Sequence, residues 1–272
     1  MKYQLENSFG DKYDLKEPIT SSGRKWIVDI QPLSPRVGSQ NRVGRSGGVA
    51  TGDQEYDTRM AVLSFDLATQ SDSLFLAEIA KFGNIFRKDK APHYLNRFLD
   101  SNNTSIPDHR TLVVLDKFQH KTTSDGVEKR VEKITINLEM LNTFWEDYSL
   151  QTFSQSAMAT GGNLVINNTG DLVAFPIFTV KALSAANPRF TLKNSTIPAQ
   201  VILESLSFTM NKTWTLDFDS KENNFLLEGV ESSLAISDGG PFYLLPGNNT
   251  ITYISDNGNV DLAGSYRRQY FD

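Results

Sequence analysis

Residue types that commonly carry chemistry are few in this chain and badly spaced for it. The three histidines, His93, His109 and His120, form no i, i+4 pair on a helix, and cysteine is absent from the 272 residues. A zinc site needs such pairing or thiolates, and a thiol nucleophile needs the missing cysteine. No Gly-x-Ser-x-Gly elbow, Rossmann glycine fingerprint or Asp-x-Asp calcium loop is present. The glycine-rich run Arg42-Val43-Gly44-Arg45-Ser46-Gly47-Gly48 lacks the Lys and Ser/Thr that complete a phosphate cradle, so it reads as an exposed loop. Carboxylates number 32. Glycoside hydrolysis needs two of them facing each other across a cleft, a geometry that spacing does not fix, and solvated surface charge is the plainer reading. The expectation is a chain with no catalytic residue, no metal site and no cofactor.

Binding chemistry has one candidate pair. Trp214 and Tyr243 could stack on a sugar ring, but Trp214 alternates with Leu216 and Phe218, which predicts a core position. Asn-x-Ser/Thr triplets at Asn102, Asn103, Asn167, Asn194, Asn211 and Asn248 read as Asn- and Thr-rich turns. The net charge of -5 argues against steady contact with nucleic acid, which depends on clustered Lys and Arg. The opening residues carry no long apolar run and no later stretch approaches a bilayer span, so neither a signal peptide nor a membrane helix is expected.

The elements that would position any site are mostly strands. Apolar residues make up 39% and charged residues 22%, enough for a real core. Trp26 to Ile30 and the alternation Leu63, Phe65, Leu67 predict strands. Phe75, Ile79, Phe82 and Phe86, after caps at Ser71-Asp72-Ser73, lie on one face of a predicted helix. His93 to Leu99 is extended. A long hairpin follows, with Thr111 to Phe118 and Val127 to Met140 flanking a turn at Asp125-Gly126. Ser, Thr, Gln and Gly accumulate between Leu141 and Gly162, which sets a domain break there. Beyond it short runs recur: Leu164–Ile166, Phe175–Val180, Val201–Leu203, Leu206–Met210, Trp214–Phe218, Phe242–Leu245 and Asn249–Tyr253. Short strands between Gly, Asn and Asp turns suggest a β-sandwich. The fold class is therefore mainly β: an N-terminal β-sandwich-like domain with one α-helix and a long hairpin over 1–145, and a C-terminal β-sandwich over 146–272.

The order of these pieces resembles the distal tail proteins of siphophages and prophages of Gram-positive bacteria. Four segments carry the likeness. Val43 to Gly48 resembles a Gly-Arg-(Asp/Ser)-Gly loop before the first long strand, and Lys90-Ala91-Pro92-His93-Tyr94-Leu95-Asn96-Arg97 follows the aromatic helix. Lys133 to Leu138 runs into an aromatic exit, Phe144-Trp145, without the family's proline. Val165 to Asp171 before Phe175-Pro176-Ile177-Phe178, together with Pro246-Gly247-Asn248-Asn249-Thr250-Ile251 and the closing Tyr266-Arg267-Arg268-Gln269-Tyr270, resembles the second domain. The resemblance implies a ring-forming first domain and a galectin-like second one. It implies a hexameric hub at the virion tail tip, made in the bacterial host cytoplasm, whose partners are the tail tube protein, a tail-associated lysin or hub protein and a receptor-binding protein. DNA would meet it only in transit. The alternatives are an adsorption module binding host cell-wall sugars through Trp214 and Tyr243 and, last, a tail-associated wall hydrolase.

Overall fold

The computed structural model describes residues 2–15, 27–32, 59–69, 77, 80, 93–100, 106–123, 130–141, 144–183, 189–197, 199–204, 208–218, 224–231, 236–239, 242–256 and 258–271. The chain divides into two compact units, Met1–Tyr148 and Ser149–Asp272. Both are built almost wholly of antiparallel strands, and the expected mainly-β class is what the structure shows. Ala77 and Ala80 are helical. Phe75, Ile79, Phe82 and Phe86, their caps, the glycine-rich loop, Trp26 and the Asp125-Gly126 turn lie outside the described residues.

The first unit contains β1 (Lys2–Glu6), β2 (Lys12–Leu15), β3 (Ile27–Ile30), β4 (Arg59–Thr69), β5 (His93–Phe98), β6 (His109–Thr123), β7 (Arg130–Met140) and β8 (Trp145–Asp147). Its described strands form one sheet in the order β2-β1-β5-β6-β7-β4-β3, with β8 added to the start of β6. Period-two alternation decides the faces: Ile134, Ile136, Leu138 and Met140 of β7 are each 0% exposed. Their partners on β4 include Ala61 and Leu63, also fully buried. The β1–β2 hairpin closes on Asn7, whose Oδ1 accepts from the Phe9 and Asp11 amides at 3.1 and 2.8 Å. Asn does this readily because its short amide mimics a backbone turn.

The second unit contains β9 (Gln151–Met158), β10 (Asn163–Asn168), β11 (Ile177–Ala182), β12 (Arg189–Asn194), β13 (Ala199–Glu204), β14 (Thr213–Asp217), β15 (Asn224–Leu227), β16 (Val230–Glu231), β17 (Ile236–Gly239), β18 (Gly247–Ser255) and β19 (Val260–Tyr266). Two sheets result, β10-β18-β12-β13-β17 and β16-β15-β14-β11-β19-β9. Inward residues of both join one core, with Phe190, Leu192 and Val201 from the first and Phe178, Val180 and Trp214 from the second. Phe178 meets Phe153, Phe218 and Phe242 edge-on at 5.3, 6.1 and 5.4 Å between centroids, the orientation that ring quadrupoles favour.

Two expected strands of this unit are corrected. Of the expected Leu206–Met210, Leu206 and Ser207 lie outside the described residues; Phe208 and Thr209 are not strand among the described ones, and the chain turns at Met210-Asn211, with Asn211 at a φ of 66° and the Lys212 amide bonded to Thr209 O at 3.0 Å. Phe208 is still buried, so its alternation reported burial and not pairing. Likewise Phe242–Leu245 contributes a single bridge, Ala174 to Leu244.

A row of amides holds that irregular segment. Asn168 and Asn194, the last residues of β10 and β12, and Asn249, the third residue of β18, are each 0% exposed. Asn168 donates to Leu172 O and Leu244 O, and Asn194 donates to Tyr243 O at 2.9 Å. Asn249 accepts from the Leu245 amide at 2.9 Å and donates to Leu245 O at 2.7 Å and Gly247 O at 3.0 Å. A buried backbone group left without such a partner costs about 1–3 kcal/mol. Asn249→Ala strips several at once and is expected to lower unfolding free energy by about 2–4 kcal/mol in urea titration.

Gly264 has a steric reason. A Cβ there would run into the Ile177 carbonyl oxygen and the Phe153 ring, which covers the glycine from the neighbouring edge strand β9. Gly264→Ala forces backbone apart and is expected to cost about 2–4 kcal/mol, read as a lowered urea midpoint at unchanged slope.

Candidate functional site

In the first unit the distal halves of β6, β7 and β4 form a three-stranded stretch of sheet. Among the described residues, strand β5 accompanies β6 as far as the His93–Val113 pair. Past it, among the described residues, β6 has a neighbour on its β7 side alone. A register shift between Leu115 and Lys117 marks a bulge there, which bends and twists a strand. All five residues from Leu115 to Gln119 are exposed, with Leu115 at 38% and Phe118 at 37%. Their cross-strand partners, Leu138 and Ile136, are fully buried, so the two side chains stand at the rim of an apolar face. On the other side of the sheet, among the described residues, β3 covers β4 from Ala61 to Ser64, and Ile27 of β3 is 56% exposed. Among the described residues, one sheet thus ends in two partly open edges on opposite sides, and backbone groups along such edges recruit another strand.

Next to this lies a polar cluster on β1, β5, β6 and β8. The guanidinium of Arg97, 3% exposed, sits 2.8 Å from His109 Nδ1 and 4.3 Å above the Trp145 ring. Trp145 is fully buried. On the opposite face Arg110 pairs with Glu146 at 2.8 Å and stacks over Tyr94 at 4.3 Å. Asn96 donates to Glu6 at 2.7 Å and to Gln4 at 3.3 Å, and Gln4 donates to Asp14 at 2.6 Å. Lys12 meets the Tyr148 hydroxyl at 3.3 Å and Glu6 at 3.7 Å. Partial burial works against its charge, but the Tyr148 hydrogen bond and the Glu6 carboxylate outweigh that and raise its pKa above the ordinary lysine value. Single-strand pattern did not expose this cluster, although Asn96-Arg97 inside an otherwise apolar strand was a legible sign of an inward polar group.

The residues singled out from sequence are placed as follows. Trp214 on β14 is 0% exposed, on the inward face with Leu216 and Phe218, so its indole has no face open to a sugar ring. Tyr243 is half-buried against the same core. His93 is buried on β5, His109 lies on β6 beside Arg97, and the His120 backbone lies on the distal part of β6. Among the described residues no helix is long and apolar enough to cross a membrane.

No family model and no curated protein sequence matches the chain. Solved structures do. The SPP1 Dit (gp 19.1) protein, described as a paradigm of hub adsorption apparatus in phages infecting Gram-positive bacteria, matches at 12% identity and a TM-score of 0.61, over 97% of this chain and 98% of that one. A chain of the phage P2 baseplate in its activated conformation with calcium aligns over 98% of this chain and 97% of its own, at 9% identity and a TM-score of 0.47. Along both its units, the chain shares the fold of the SPP1 hub protein.

Proposed function

We propose that the chain is a structural subunit of a phage tail tip: one of six around a hub ring that joins the tail tube to the adsorption apparatus and lets DNA pass. The observation that supports this reading best is that the likeness to the SPP1 hub protein runs through both units from end to end. A shared sandwich alone would align only the second unit. In this reading the first unit forms the ring, the second is a galectin-like module, and the chain is not an enzyme. The tail tube protein and a tail-associated lysin dock on the ring, and a receptor-binding protein attaches to the assembly. The site of action is the virion tail tip, after synthesis in the bacterial host cytoplasm. Of the two residues of the sugar-binding alternative, only Tyr243 is not closed off in the core.

The open edges suggest how the ring closes. The distal edge of β6 and the β3–β4 side of the same sheet are different surfaces, and joining one to the other on the next subunit makes a heterologous, head-to-tail contact that can close on itself. Leu115 and Phe118 would be buried at that joint. A net charge of -5 also suits a channel through which phosphates slide without being trapped.

Light scattering of the purified chain over a range of concentrations tests this. Expected is a hexamer-sized species. The Leu115→Glu, Phe118→Glu double variant is expected to run as a monomer with its melting temperature within a few degrees of wild type, since both side chains are at the surface. A wild-type monomer at every concentration, also when mixed with tail tube protein, would overturn the ring; turnover of purified peptidoglycan would overturn the non-enzymatic reading.

A further inference from the structure

We propose that His109 is the proton-sensitive member of a latch that ties β8, the last strand of the first unit, to its sheet. A guanidinium has only N–H donors and no acceptor. With Arg97 2.8 Å from His109 Nδ1, that nitrogen must offer its lone pair, which fixes a neutral imidazole carrying its proton on Nε2. Arg97 in turn lies over the Trp145 ring at 4.3 Å, so one cation bridges the imidazole of β6 and the indole of β8. Protonating His109 removes the acceptor and sets a second positive charge at hydrogen-bond distance from the first.

The groups around His109 decide how strongly that is resisted. From β5 comes Arg97, and from β8 comes Asp147, 4% exposed and opposite His109 in the register. From β1 comes Tyr3, opposite Arg97, with its ring 6.3 Å from that of Trp145. The adjoining Asp108 carboxylate accepts from the Leu99 amide at 2.8 Å, and Asp108 O accepts from the Tyr148 amide at 3.0 Å. Asp147 balances the formal charge of Arg97 while His109 is neutral. A further proton leaves the cluster with a net charge where burial makes charge costly. Asp147 favours the imidazolium, but the direct contact of His109 Nδ1 is with Arg97. On the other face Arg110 pairs with Glu146 of β8, and Lys12 bonds the hydroxyl of Tyr148 just after it, contacts that involve no histidine. Mild acid therefore loosens one face of β8 without releasing the strand.

The test uses the full chain. Imidazole nitrogen NMR, assigned with single His93, His109 and His120 variants, should give the Nε2–H form of His109 at about pH 7.5. Between about pH 7.5 and 5, exchange of the Tyr148 amide should speed by about tenfold beyond its intrinsic pH dependence in wild type. It should not do so in His109→Gln, whose carbonyl accepts from Arg97 and cannot be protonated. An Nδ1–H tautomer, or the same acid response in both proteins, overturns the proposal. If His109→Gln fails to fold, the wild-type tautomer decides alone.

Discussion

The first unit depends on strand β7 being paired on both sides along its length. All eleven of its residues are matched to β4, and β6 runs along its other side from Met140 to Val131. Side chains of a strand alternate, so slipping β7 by one residue would turn Ile134, Ile136, Leu138 and Met140 from the core to the opposite face. That cost fixes the register of both neighbours at once. The placement of Leu115 and Phe118 at the rim, and of Arg97 beside His109, follows from that register.

With no cysteine available, the second unit gains its order from packing and from buried amides. The aromatic cluster around Phe178 supplies the bulk of contact between the sheets, while Asn168, Asn194 and Asn249 supply direction. The division is physical: dispersion and water exclusion are non-directional, whereas an amide buried in a dry core is tolerated in one arrangement only.

Much of the strand content was legible because period two is a local signal. The alternation from Ile134 to Met140 reads directly, and so does the inward position of Trp214. What stayed hidden depends on non-local pairing. Asn168, Asn194 and Asn249 look like turn residues in sequence; only the meeting of three strands makes them core. Arg189–Asn194 carries only two apolar residues, Phe190 and Leu192, separated by a threonine, and gives no apolar run, and Phe208 was misread because burial and pairing leave the same apolar trace. The edge of β6 past Val113 could not be read at all, since among the described residues it depends on where the pairing with β5 ends. The contact of Arg97 with His109 likewise needed the β5–β6 register.

The bulge in β6 has a consequence for chain length. Leu115 pairs with Leu138 and Lys117 with Asn137, so Asp116 is the extra residue between consecutive rungs. Apolar side chains on one face accordingly change from odd positions, Val113 and Leu115, to an even one, Phe118. Loss of Asp116 would leave every other residue of the strand facing the way it now does, whereas loss of a residue between Lys117 and Thr123 would turn part of the strand over. Along this strand, tolerance to a deletion is concentrated at a single position, and related chains that differ by one residue here would be expected to differ at the bulge.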